Sequence, residues 1–598
     1  MLLRSMNNFR KDVGAVLHKD HVSFRVWAPF AKSVAVTGSF NDWGKTPMQP
    51  EDGGYWHCDV KGAEAGQEYR YVIDTGKEEL KRNDPRALRV NTSAGNSVIV
   101  DTDFDWEGDN FELQPVNKQI IYELYIGTFN RKDPAEPGTF ATAIEKLDYL
   151  IDLGVTTIEL MPIGSTSPEQ SWWGYIVDYI YAVESQYGGR REFLEFVKAA
   201  HKRGLGVILD VVYNHFDSDP DLGLWRFDGW SSAEDQGGIY FYSDWRAFTP
   251  WDGGHNNRPD YGRPEVRDYI LSNIKMWLKD CHIDGFRVDS TGFIRTVNGI
   301  DHDPSSAIPD GWSLLQDITE LSRKTKPGCL LVAEDLCGND YISKPRGEAG
   351  LGFSAQWELN MPYELRQCLE PIDDGKRNLG PLAAALERYY NGDAFQRVVY
   401  SDSHDSAANG AKRLNEEISP GHPASLYARR RSLLASAIIL TIPGVPMFLE
   451  GQEFMQGGSF SNWQALDWEQ AEKLSGIVEA HKHLIALRRN AHGNTRGLIG
   501  QSFAILHLNE ESKILAYHRW DQGGSGDDVI VVVNLANRMQ KDYFLNFPRK
   551  GVWRVRFNSD WKGYSPEFKD TKISEVNVEN DGAPVTVGPY SVLIFSQD

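Results

Sequence analysis

At 598 residues, 41% hydrophobic and 25% charged, the chain exceeds one ordinary domain and has the composition of soluble globular protein. Its formal net charge of -21 argues against nucleic acid and against an anionic membrane surface as partners, while a neutral ligand meets no repulsion. The five cysteines are odd in number and lack the spacing of a zinc site or a disulfide framework, so a reduced chain is expected.

In chain order, residues 1–105 read as a β-sandwich. The first ten residues hold no apolar core of the length a secretory leader needs, which together with the thiols predicts a cytoplasmic protein. Val22, Phe24 and Val26 alternate onto one face, Val34 and Val36 begin another strand, and Tyr69, Tyr71 and Ile73 form a third. Turn clusters at 38–44 and 51–54 separate them. Residues 106–118 are a polar, acidic linker.

From Gln119 to residue 490, strands alternate with helical patterns, which argues for βαβ units and a closed (β/α)8 barrel. The predicted strands are 120–125, 155–161, 206–212, 283–288, 329–333, 353–357, 398–401 and 445–449. Phe140, Ile144, Leu147 and Ile151 predict one helix ended by Gly154; Phe193, Phe196, Val197 and Ala200 predict the next, closed at Gly204. Ser432 to Leu449 carries no charge, but Pro443-Gly444-Val445-Pro446 interrupts it too early for a membrane span, so it reads as a buried helix, a turn and a strand. An aromatic-rich insertion at about 216–262 separates the third and fourth strands; its length marks it as functional. Trp225, Trp230, Tyr242, Trp245 and Trp251 there serve either as a groove wall or as the insertion's own core. Residues 491–598 return to strands, as in 514–519, 529–534 and 590–595, and form a C-terminal antiparallel β-domain. The architecture is therefore multidomain: a TIM barrel between two β-domains. The chain gives no sign of its oligomeric state.

Four stretches place charged side chains at or just after apolar runs: Asp210-Val-Val-Tyr-Asn-His215, Gly285-Phe-Arg-Val-Asp289, Leu331-Val-Ala-Glu334-Asp335 and Ser401-Asp-Ser-His404-Asp405. In a (β/α)8 barrel the C-terminal strand ends form the active-site face. Asp289, Glu334 and Asp405 would meet there, and acids gathered on one pocket are what glycosidic-bond chemistry needs. Arg287 lies two residues before Asp289 on the same strand, so both point one way and the guanidinium favours an ionised Asp289.

In order, spacing and content these stretches resemble the signature regions of the α-amylase superfamily, glycoside hydrolase family thirteen. Phe24–Pro29 and Gly38-Ser-Phe-Asn-Asp-Trp43 are similar to the starch-binding type of module that precedes the barrel in branching and debranching members. The resemblance implies that Asp289 is the nucleophile, Glu334 the general acid and then base, and Asp405 the group holding the distorted sugar. It implies that Asp210 orients Arg287 and a sugar hydroxyl, that His215 and His404 bond the ring in the catalytic subsite, and that Trp173-Gly174-Tyr175 supplies the platform, with Tyr175 beneath the reacting glucose. Trp43 and Trp56 are the stacking candidates of the N-terminal module, unless that module only packs.

The substrate so implied is an α-glucan: glycogen, starch or maltooligosaccharides. Gly292 and Phe293 stand where secreted members carry a Lys-His pair, and Asn214 alone would not hold calcium, which takes six to eight oxygens. No metal and no cofactor is expected. These departures, the N-terminal module and Tyr122-Glu-Leu-Tyr-Ile-Gly-Thr-Phe129 lean toward branching and trehalohydrolase-type members. The leading expectation is a 1,4-α-glucan branching reaction, with hydrolysis of α-glucan or maltooligosyl-trehalose as the alternative and an inactive glucan-binding scaffold as the third. The complete acid set argues against the scaffold.

Overall fold

Eight parallel strands close into a barrel at the centre of the structure, a computed structural model describing residues 12–91, 95–166, 173–217, 224–234, 236–250, 255–301 and 303–598. The leader reading of the first ten residues and Trp251 fall outside the described residues. The strands are β1 (Ile121–Leu124), β2 (Thr157–Leu160), β3 (Gly206–Val211), β4 (Gly285–Val288), β5 (Leu330–Ala333), β6 (Ala355–Trp357), β7 (Arg397–Val399) and β8 (Val445–Leu449). The barrel closes where Ile121 pairs with Met447 across β1 and β8.

All eight strands are buried on both faces, which is why they read as nearly continuous apolar runs. The period of two divides each strand cleanly. Val207, Leu209, Phe286, Val288 and Leu331 pack with the outer helices, while Ile121, Ile208, Val332, Trp357 and Met447 fill the lumen. Continued by the same step, the lumen positions become Glu123, Glu159, Asp210, Arg287, Asp289 and Glu334. The apolar plug and the charges above it are one alternation. Where β4 and β5 approach closely, a Cβ at Gly285 would lie 1.9 Å from the Leu330 carbonyl oxygen, so only glycine fits.

The outer layer departs from the expected pattern once. The predicted single helix over 140–151 is two pieces, Phe140–Ile144 and Leu147–Leu153, separated by Lys146 with φ -106 and ψ 0. The break restarts the period, so Leu147, Leu150 and Leu153 face the core and Ile151 is left 38% exposed. The uncharged run from Ser432 resolves as expected into the end of helix Leu426–Thr441, a turn and β8. No helix among the described residues is long and apolar enough to cross a membrane.

The N-terminal module is two facing sheets, one built around His21–Trp27 and Tyr55–Lys61, the other around Ser33–Gly38 and Glu68–Asp74. Their inner faces bury Val22, Phe24, Val26, Tyr69, Tyr71 and Ile73. The module is pinned to the barrel unit: Arg86 pairs with Asp268 at 2.8 Å, and the Phe30 ring stacks on Trp230 of the insertion at 4.7 Å and 12°. After helix Ser475–Arg488 the chain forms a six-stranded antiparallel sheet faced by the pair Gln540–Asn546 and Gly582–Val587.

At the N-terminal end of the barrel the linker is bound by charge. Asp284, just before β4, meets His201 at 2.9 Å and Lys326 at 2.5 Å. Asp109 of the linker meets His201 at 2.8 Å and His282 at 2.7 Å. Trp106 covers the cluster by stacking on His282 at 3.8 Å.

Candidate active site

The opposite end of the barrel opens into a cavity of about 300 Å³ lined by Trp173, Tyr175, His215, Asp289, Glu334, His404 and Asp405. Arg287, wholly buried, organises the floor. Its Nη1 donates to Asp210 Oδ2 and to Asp289 Oδ1, both at 2.7 Å, and its Nη2 lies 3.0 Å from Glu334 Oε2. One guanidinium thus holds acids from three successive strands, and the Trp357 ring closes it from below at 4.5 Å. Arg287 and Asp289 share the lumen face because they are two residues apart on β4.

Burial sets the protonation states. Glu334 is pushed up to about 8, chiefly by desolvation; Arg287 pulls it down, and the charges of Asp289 and Asp405 push it further up. The Ser290 N–H donates to Glu334 Oε2 at 2.8 Å, which leaves Oε1 as the oxygen to carry the proton. Asp210 rises to about 6 through burial, opposed by Arg287. His215 falls to about 4 through burial and is neutral near pH 7. Asp289 accepts from the Asn214 amide, whose carbonyl faces His215 Nδ1, so Asn214 is committed to orienting these two groups.

Tyr175 donates its hydroxyl to Asp210 Oδ2 at 2.6 Å, and its ring stacks on His404 at 5.2 Å and 20°. Trp173 meets the same histidine edge-on at 5.9 Å. Asp405 is the acid turned outward, its side chain 48% exposed, with Oδ1 3.5 Å from His404 Nε2. The structure therefore gathers Asp210, His215, Arg287, Asp289, Glu334, His404, Asp405, Tyr175 and Trp173 around one cavity. Among the described residues no group of three or more His, Cys, Asp or Glu side chains is arranged to hold a metal ion.

The remaining aromatic candidates lie elsewhere. Trp43 sits in a left-handed turn at φ 59 and is 45% exposed. Trp56 is half-buried against the sandwich core and donates its indole N–H to the Ala28 carbonyl at 3.0 Å. Trp225 is half-buried, packed against the core, with the Arg226 guanidinium over its ring. Trp230 forms the Phe30 stack at the module junction. Tyr242 is buried against Tyr261, and Trp245 is exposed.

Sequence reasoning missed three participants, the first being Asn214, which it weighed only as a calcium ligand. Ser290 acts chiefly through its backbone N–H, with its hydroxyl 3.3 Å from the same Glu334 oxygen. Glu123 accepts from His404 twice, from the backbone N–H at 3.0 Å and from Nδ1 at 2.5 Å. A lone acid inside the apolar run 120–125 was its available signal.

Such an assembly, a closed parallel barrel with acids gathered round one buried arginine at its C-terminal mouth, belongs to the carbohydrate-active barrel enzymes. The chain matches the α-amylase catalytic domain over residues 123–243 and 253–488 and belongs to the α-amylase family. Residues 12–87 match carbohydrate-binding module 48, the isoamylase N-terminal domain, and residues 505–598 match the α-amylase C-terminal all-β domain. The chain is 29% identical to a 1,4-alpha-glucan branching enzyme of Aquifex aeolicus, over 91% of this chain and 88% of the relative. It is also 29% identical to a malto-oligosyltrehalose trehalohydrolase of Saccharolobus solfataricus, over 78% and 79% respectively. A pullulanase structure from Bacillus subtilis superposes with a TM-score of 0.76 at 22% identity, covering 99% of this chain and 86% of that one. The expected barrel between two β-domains is the observed fold.

Proposed function

We propose that the protein is a retaining α-glucan transferase that breaks an α-1,4 bond and passes the cleaved chain to a 6-hydroxyl, a branching reaction. Two observations support the reading: the Arg287 clamp on Asp289 and Glu334 at the cavity, and the extended similarity to branching enzymes. In the first step an Asp289 oxygen attacks the anomeric carbon. The bond to the leaving oxygen breaks, and that oxygen takes the proton of Glu334, leaving a glycosyl ester and a Glu334 carboxylate. Esterification removes the negative charge of Asp289, whose repulsion helps to hold the proton on Glu334. Its proton affinity then falls, as a residue that next acts as base requires. In the second step Glu334 takes the proton of the incoming 6-hydroxyl, whose oxygen displaces Asp289 from the anomeric carbon. Asp405 and Tyr175 hold the sugar between them, one through hydroxyls and the other through its ring face.

The setting we infer is cytoplasmic, supported by five free thiols that form no disulfide. The second reading keeps every residue and replaces the 6-hydroxyl by water on a maltooligosyl-trehalose, favoured by the Saccharolobus solfataricus relative. Incubation with amylose followed by linkage analysis separates the two. New α-1,6 linkages with fewer new reducing ends than new branches are expected. Linear products, with reducing ends rising in step with bonds broken, overturn the transferase reading, and free trehalose from a maltooligosyl-trehalose selects the second.

A further inference from the structure

Glu123 is not used in the steps above, yet it is buried in the barrel lumen. It faces inward from β1, level with Glu159 of β2 in the strand register. Both of its oxygens engage one residue, His404, which lies far along the chain beyond β7. Because a carboxylate only accepts, His404 Nδ1 carries a proton. The far nitrogen, Nε2, is 2.9 Å from the Tyr175 hydroxyl oxygen. That hydroxyl already directs its hydrogen to Asp210 Oδ2 at 2.6 Å, and burial beside Asp210 keeps the phenol protonated far above its ordinary range. The Tyr175 oxygen therefore accepts, and Nε2 must carry a proton as well. With Tyr175 donating to Asp210 and Glu123 accepting from Nδ1, this donor and acceptor sequence is that of an imidazolium.

We propose that Glu123 is a positioning residue for the reaction: it fixes the His404 ring and holds it as an imidazolium, whose Nε2–H anchors the Tyr175 hydroxyl on Asp210 and places a cation beside Asp405. A neutral His404 would present a lone pair at Nε2. Tyr175 would then turn its hydrogen to the histidine and release Asp210, so the platform would change shape with protonation state. The proposal rests on the reading of Tyr175 and Asp405 as the groups that hold the sugar.

The groups facing His404 set its charge from five directions. Burial opposes the imidazolium, but Asp405 on its own segment and Glu123 from β1 outweigh it and raise His404 to about 9. Arg287 from β4 works against the charge. Asp210 from β3 and Glu159 from β2 also interact with it; Glu159, pushed well above the carboxylate range by burial and by Glu123, is protonated and contributes little. Tyr175, after β2, contributes through its hydrogen bond. Removing the Glu123 charge leaves Asp405 as the ionised partner at 3.5 Å, on the exposed side.

The test uses Glu123→Gln, which keeps the shape and removes the charge, in protein carrying ¹⁵N in its histidine rings. The His404 signal is identified by its loss in His404→Gln. In the wild type the ring should be doubly protonated at pH 7.5. In Glu123→Gln its titration should move down by about one to three units. On amylose the wild-type rate should fall as pH rises through about 8, where Glu334 loses its proton. In the variant that limb should shift down with the histidine, giving a loss of about tenfold at pH 8 that shrinks toward pH 6. A singly protonated His404 in the wild type at pH 7.5 overturns the proposal, and it needs no variant. So does a Glu123→Gln loss that is equal at every pH with the His404 titration unmoved. The ring signal does not depend on which acceptor the enzyme uses, so failure of the branching reading leaves this result distinct.

Discussion

At the N-terminal end of the barrel, Asp284 and Asp109 face His201, His282 and Lys326, and each acid finds a cationic partner within 3 Å. At the C-terminal end, Glu123, Glu159, Asp210, Asp289, Glu334 and Asp405 are grouped around Arg287 and His404. The first cluster is balanced and closed by the linker, with Trp106 stacked on His282. The second has more acids than cations and opens on a cavity. Asp109 is accordingly held below the usual carboxylate range, its bonds from His282 and His201 overcoming its burial. Asp210 and Glu334 are raised instead, to about 6 and about 8. Asp109 is only partly buried and meets two histidines, whereas Asp210 and Glu334 are fully buried around one shared arginine, so desolvation and the count of opposite charges act together to give opposite outcomes. Under the proposed function, one end of the barrel serves stability and the other proton transfer.

The sharpest way to test that division is at the open end. Asp289→Asn should lower turnover of amylose by at least about 10³-fold, because an amide cannot form the glycosyl ester. Thermal unfolding should be nearly unchanged, since Arg287 keeps Asp210 and Glu334. Near-wild-type turnover would remove Asp289 from the reaction.

At the closed end the signs reverse. Asp284→Asn strands Lys326 without its anion and leaves His201 with Asp109 alone, and should cost about 3 kcal/mol in denaturant unfolding. Turnover at a permissive temperature should stay within about twofold of wild type. The folded-state pKa of His201 is raised from its ordinary 6.5 by Asp284 and Asp109 against burial. Its contribution is therefore complete below pH 6.5 and lost as pH rises through the folded value, so the variant should be penalised more at pH 6 than at pH 9. A large fall in turnover would show that the two ends are coupled and break the comparison.

The smallest effects fall in the N-terminal module, where the two tryptophans should separate. Trp56→Ala removes a half-buried ring and its bond to Ala28, and should cost about 2 kcal/mol of stability. Trp43→Ala should leave the melting temperature unchanged and weaken retention on an α-glucan polymer by roughly threefold, the worth of one exposed stacking contact. Equal retention in affinity electrophoresis would make Trp43 a surface residue with no glucan role.

Much of this was legible in the chain because it is local. The eight strands declare themselves by apolar runs, and the two-residue step from Arg287 to Asp289 fixes a shared face before any tertiary contact is known. Helix breaks and ring partners were not legible. Ile151 reads as core by spacing, yet the restart at Lys146 turns it outward. Trp230 reads equally as groove wall or local core, and its partner Phe30 comes from another domain.

By itself the sequence determined the alternating βα architecture, the flanking β-domains and the acids at the strand ends, since periodicity and strand polarity are properties of neighbouring residues. Only the closed barrel decided which of those acids meet one arginine, which are raised and which stay paired. That decision depends on distances across the lumen and on the removal of water, and neither is written in any single segment. Glu123 shows the limit plainly: an acid on the first strand acquires its partner only when the ring closes and brings His404 from beyond the seventh strand against it.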